Sequence, residues 1–152
     1  MKKWVEKQAV WLSAVPVLLI MAVIFGFSAQ NGAQSGGLSG KIALFLTRLV
    51  QPDAVAATEQ LEHFVRKCAH FTEYATLGFF MLLHFQQIGK RVSFRKQWLW
   101  AWVAGTAYAA VDELHQMFVP DRGPSVLDVG LDSVGVAVGV ALLVLLCYRR
   151  RK

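Results

Sequence analysis

The chain has 152 residues, 55% of them hydrophobic and 17% charged, with a mean hydropathy of +0.42. A soluble domain is about 45–50% apolar and roughly 25% charged, so much of this chain need not face water. The net charge of +6 does not point to nucleic acid, because the basic residues stand at both ends and in one loop between apolar runs, which is how a membrane protein distributes them.

In chain order, the first apolar run is "AVWLSAVPVLLIMAVIFGF", residues 9–27. It is long enough to cross the roughly 30 Å hydrocarbon core as a helix, with Pro16 expected to kink it. The run exceeds the usual 7–15 residues of a signal-peptide core, and Phe27 occupies the place where cleavage wants a small residue, so a retained anchor is expected. "FSAQNGAQSGGLSG" follows and reads as a turn-rich exit from the membrane. The next stretch, "LSGKIALFLTRLV", sets Ile42, Phe45, Leu46 and Leu49 on one helical face, with Lys41 and Arg48 away from it. That spacing fits an amphipathic helix in the outer headgroup layer, or equally a helix packed on the spans.

Further spans are expected at 68–85, 98–115 and 129–148. The third is strictly apolar only to Val111, and it crosses only if the helix continues through Asp112 to Gln116. The predicted fold is therefore all-α: a four-transmembrane-helix bundle in one domain, with an outer amphipathic segment between spans one and two. Eleven of the sixteen basic residues fall at the N-terminus, between spans two and three, or in the terminal "RRRK". The excess of Lys and Arg on the cytoplasmic side then predicts a multi-pass protein with both termini cytoplasmic. Cys68 and Cys147 would lie near opposite faces and could not pair.

Ionisable groups gather at the other side. Arg66, His70, Glu73 and Leu77 follow i, i+4, i+7, i+11 spacing and form one helical stripe. Glu73 is costly at its depth unless partnered within the bundle, and His70 and Arg66 are the expected partners. Asp112 and Gln116 share a face at the end of span three, with Glu113 and His115 pointing elsewhere, and Pro120 stops that helix. Ser125 and Asp128 resemble a capping box opening span four. Asp128, Asp132, Gly135 and Gly139 then share a stripe whose GxxxG lets a neighbouring helix approach closely.

These segments carry a resemblance. "FSAQNGAQS", R-K-x-A-H-F-x-E-Y and D-E-x-x-Q-x-F-x-P-x-R-x-x-S-x-x-D, together with the two glycines, resemble the VanZ-like family over most of residues 25–140. Its members are small bacterial membrane proteins, named for one linked to low-level teicoplanin resistance. The resemblance thus implies the bacterial cytoplasmic membrane and a role in glycopeptide resistance or envelope modification. It supplies no reaction. Its motif falls on Ser28, Gln30, Arg66, Lys67, His70, Glu73, Tyr74, Asp112, Glu113, Gln116, Pro120, Arg122, Ser125 and Asp128. The position of Asp132 is often Asn in the family, so no charge is implied there.

Three functions compete. A non-catalytic site would recognise a lipid, a lipid-linked cell-wall precursor or a glycopeptide through Ser28, Gln30, Arg66, Lys67, Tyr74, Glu113, Gln116, Arg122 and Ser125. An enzyme acting on such a lipid would draw acid/base groups from His70, Glu73, Asp112 and Asp128. A structural protein would use the same charges to fix helix register. No cofactor is evident. A divalent ion among His70, Glu73, Asp112 and Asp128 is conceivable, but no H-E-x-x-H or paired-cysteine spacing supports it.

Overall fold

The computed structural model describes residues 2–30, 32–120 and 122–149. Among these residues there are five helices and no strands: α1 (Lys2–Ser28), α2 (Gly32–Val50), α3 (Glu59–Ile88), α4 (Phe94–Gln116) and α5 (Val126–Arg149). Arg150–Lys152 of the basic tail lie outside the described residues, as does Asn31 of the first motif.

Each boundary has a local cause. Thr58 caps α3 by accepting the Leu61 amide at 3.3 Å, and Glu59 and Glu62 complement the positive end of the helix dipole. At the other end, Gln97 donates to the carbonyls of Gly89 and Val92 at 2.6 and 2.9 Å. That one side chain ties down the short turn between α3 and α4. α4 does continue through Asp112 to Gln116 before the chain turns ahead of Pro120. With 30 residues, α3 is roughly 45 Å long, about half again the hydrocarbon thickness. It begins nine residues before the apolar run suggested.

α1, α3, α4 and α5 alternate in direction. Ser13 near the start of α1 bonds His84 near the end of α3 at 2.9 Å, whereas Ser28 at the end of α1 reaches Asp112 near the end of α4. α3 and α5 form the closest pair. A side chain on Gly139 would strike the Ala75 carbonyl, and one on Gly135 would come within 2.8 Å of the Phe71 carbonyl. The GxxxG stripe is therefore a backbone-to-backbone contact. Thr106 and Ser133, 2.9 Å apart, join α4 to α5, and the Tyr108 hydroxyl donates to the Met21 carbonyl at 2.7 Å, joining α4 to α1. The core holds Ile24, Tyr74, Leu77, Leu82, Ala109 and Val136.

Two helical stretches, Gln8–Ser28 and Val126–Tyr148, are long and apolar enough to cross a membrane. α3 and α4 are less apolar, α3 carrying His70, Thr72, Glu73 and His84 within its run and α4 rich in Trp and Ala. What argues for lipid is the outward face of α1. Trp11 and Leu12 are 75% and 70% exposed, and Leu18, Leu19 and Val23 also turn away from the bundle. So long an apolar face is unsuited to water.

The stretch expected to be turn-rich is helical from Gly32 onward, a correction. Ser39 and Ala43 are buried where α2 packs on α3, and a side chain on Gly40 would come within 3.3 Å of the Glu62 carboxylate. Small residues let the helices approach closely, and this packing outweighs their poor helix propensity. Ile42, Phe45, Leu46 and Leu49 all point outward. The two cysteines are free and lie near opposite ends of the bundle.

Candidate functional site

Four helix termini meet at one end of the bundle: the ends of α1 and α4 and the beginnings of α3 and α5. Asp112 is the hub. Its Oδ2 accepts from the Ser28 hydroxyl at 2.6 Å and, weakly, from the Gln116 amide at 3.4 Å, while Gln116 Oε1 faces Arg122 Nη1 at 3.4 Å. Ser28 and Asp112 are almost completely buried. Tyr74, fully buried, stacks obliquely on Tyr108 with ring centroids 6.3 Å apart.

A second set joins α4 to α5. Glu113 accepts the backbone amide of Ser125 at 2.8 Å, and Ser125 Oγ accepts the amide of Asp128 at 3.3 Å. Ser125 is thus the expected cap, but the returning carboxylate belongs to Glu113. Asp128 turns instead to Lys67 on α3 and forms an ion pair.

Two cavities open here. The larger, about 200 Å³, is lined by both signs of charge: Arg66, Lys67, His70, Glu113, Arg122 and Asp132. The smaller, about 110 Å³, is mostly apolar, with Glu73 and Gln30 among its lining residues. Arg66, His70 and Arg122 line both and form the wall between them. Buried Nε atoms of Arg66 and Arg122, Glu73 Oε2 and Asp132 Oδ1 have no hydrogen-bond partner on the cavity walls, and Tyr74 Oη, Asp112 Oδ1 and His115 Nδ1 have none away from them. In the loop before α5, burial and then the neighbouring Arg66 push the Arg122 guanidinium below its ordinary pKa. A guanidinium does not deprotonate in a protein, so this marks a charge that an anion would relieve.

The predicted residues therefore separate. Arg66, Lys67, His70, Glu113, Gln116, Arg122 and Asp128 line the larger cavity, and Gln30 and Glu73 the smaller. Ser28, Tyr74, Asp112 and Ser125 line neither. Asp112, proposed as a catalytic candidate, uses Oδ2 to join the end of α1 to α4. Glu113 was expected to point away from Asp112's face, yet it too is buried, because the last turn of α4 is covered by α1 on one side and α5 on the other. Glu73 makes no ion pair with Arg66 or His70, and Lys67–Asp128 is the ion pair found among the described residues. Nor, among those residues, are three or more His, Cys, Asp or Glu side chains arranged to hold a metal ion. Of the set His70, Glu73, Asp112 and Asp128, Ser28 donates to Asp112 Oδ2 and Lys67 pairs with Asp128.

Sequence reasoning left His63 out of the site, although it lines the larger cavity. The signal was present: His63, Lys67 and His70 are spaced i, i+4, i+7. Asp132, for which the resemblance implied no charge, lines the same cavity. His115 lies to one side, its ring 4.2 Å from that of Phe25.

No curated protein and no solved structure matches the chain. The family model described as VanZ/LLP1 matches residues 13–147, nearly the whole bundle and every residue of both cavities. With that coverage, this membrane protein belongs to the VanZ/LLP1 family.

Proposed function

We propose that the chain crosses the bacterial cytoplasmic membrane four times with both termini inside, and that its charged cavity recognises an anionic group at the outer leaflet. The recognition contributes to glycopeptide resistance of the teicoplanin type, or to envelope modification. Four helices of alternating direction and the one-sided basic residues support the topology. Reporter fusions after Gln87 and after Arg122 should report opposite sides. A cytoplasmic signal at Arg122 overturns the outer placement.

One observation carries recognition over a purely structural network. Arg66 and Arg122 present buried nitrogens that no protein group satisfies, on the wall of an open cavity. A network serving only helix register would be expected to close on itself, since an unmet buried donor costs about 1–3 kcal/mol. A bound phosphate or carboxylate would meet both guanidinium groups. Asp132 Oδ1 would be left to accept from a hydroxyl or ammonium on the same head. Expressed in a susceptible host, the wild type should lower teicoplanin susceptibility, and Arg122→Ala should abolish the effect at an equal level of membrane protein. An unchanged phenotype for Arg122→Ala removes the support for recognition.

A catalytic reading rests on Glu73 and His70, which share the smaller cavity with a Glu73 oxygen left unbonded. It expects a new lipid product on incubation with lipid extracts, detected by mass spectrometry and lost in Glu73→Gln. Absence of any product from the wild type counts against it.

A further inference from the structure

The smaller cavity differs from its neighbour in chemistry as well as size. Phe27 from α1, Leu38 and Ile42 from α2, and Val65 and Ala69 from α3 supply its apolar lining. Phe27, Leu38, Ile42 and Ala69 are also exposed on the outside of the bundle. The cavity therefore opens sideways between α1, α2 and α3, and does not open only along the bundle axis. Beyond its mouth the apolar face of α2 continues through Phe45, Leu46 and Leu49. Its inner wall is the Arg66, His70 and Arg122 group that also faces the charged cavity.

A water-soluble anion has no use for such a slot, whereas a lipid held in the leaflet must enter from the side. We infer that the smaller cavity seats the first methylenes of a hydrocarbon chain whose phosphate head lies between Arg66 and Arg122, so that the ligand is a lipid phosphate. The inference rests on the anion-recognition reading and adds the chain to it. Charge complementarity fixes the head, and the shared wall fixes the chain directly beside it. About 110 Å³ holds only the head-proximal part of a chain. The remainder runs along the outward face of α2 into the surrounding lipid.

The test uses purified full-length protein in detergent, with methyl phosphate, inorganic phosphate and dodecyl phosphate as probes and binding followed by calorimetry. Ala69→Phe fills the slot from an exposed position on α3, and Leu38→Phe does so from α2. Partition of the chain into micelles is the same for wild type and variants, so the ratio of their affinities reports the slot. A chain displaced from the slot stays in detergent, so a slot-filling variant loses the packing of the chain and not its transfer from water, and a loss of about 1.4 kcal/mol is tenfold in affinity. Dodecyl phosphate should bind Ala69→Phe or Leu38→Phe weaker by about that factor, with methyl phosphate unchanged, and Arg122→Ala should weaken both. If Ala69→Phe melts early, Leu38→Phe alone carries the comparison. Dodecyl phosphate binding that survives a folded slot-filling variant overturns the chain assignment, even where Arg122→Ala still upholds the anion site. Inorganic phosphate binding as tightly as dodecyl phosphate overturns it in favour of a soluble anion. If Arg122→Ala changes no affinity, the anion reading itself falls, and this inference with it.

Discussion

Gly139→Leu is expected to leave almost no folded protein in the membrane, while Gly130→Ala on the same helix should leave stability unchanged or raise it by up to about 1 kcal/mol. The contrast lies in what a side chain meets. At Gly130 nothing lies within 4 Å, whereas at Gly139 the new atom falls on the Ala75 carbonyl and crowds Phe79. A flexible side chain could move aside, but a helical carbonyl cannot move without its helix. Overpacking usually costs about 1–3 kcal/mol. Here the cost should exceed that range, since α3 and α5 must separate along their whole contact, and total stability is on the order of 5–15 kcal/mol. The reverse arrangement, in which Gly78 of α3 meets the Val136 backbone of α5, makes Gly78→Leu an independent check. Melting in detergent and the yield of monodisperse protein measure the effect. Normal melting of Gly139→Leu would show that the two helices do not pack this closely.

Asp112→Ala should be the most damaging of the polar substitutions, and through stability before chemistry. Removing the carboxylate strands the fully buried Ser28 hydroxyl and deprives Gln116 of its partner. One orphaned buried group costs roughly 1–3 kcal/mol. Asp112→Asn keeps the shape and one acceptor oxygen and should recover most of the loss. Arg122→Ala should melt close to wild type, because its bond to Gln116 is long and its Nε has no partner to lose. Thermal melting of the three variants checks this ordering. An Asp112→Ala protein as stable as wild type but inactive would return Asp112 to the reacting groups.

The helices and the Arg66–His70–Glu73 stripe were legible because a 3.6-residue period reports which residues share a face. The GxxxG contact was legible for the same reason, since small residues four apart have few uses in an apolar helix other than close approach. Periodicity stops short of saying how many faces a helix buries. Glu113 lies one residue, about 100°, from Asp112, so spacing sets it on another face without saying what covers that face; Ser28 meets Asp112 and the Ser125 amide meets Glu113, and both are buried. Likewise, spacing could say that Arg66, His70 and Glu73 are aligned, but not that Glu73 would form no ion pair with either. The helix from Gly32 was hidden because local composition favours a turn, and only the packing of Ser39 and Ala43 on α3 reverses that preference.

The bond from Ser125 to Glu113 bears on how the larger cavity would attract the anion proposed for it. A helix that begins at the edge of a cavity ordinarily offers unsatisfied amides and the positive end of its dipole, and these draw anions unaided. At the start of α5 the Ser125 amide is taken by Glu113 and the Asp128 amide by Ser125 Oγ, with the Asp128 carboxylate itself in the first turn. Two carboxylates, Glu113 and Asp128, thus stand against the positive end of that helix. The pull on an anion must then come from long side chains on α3 and the loop, which can follow a headgroup as it moves. Selectivity would reside in the planar forks of two arginines and not in a rigid backbone cradle, so replacing either with lysine should preserve the charge and lose the discrimination.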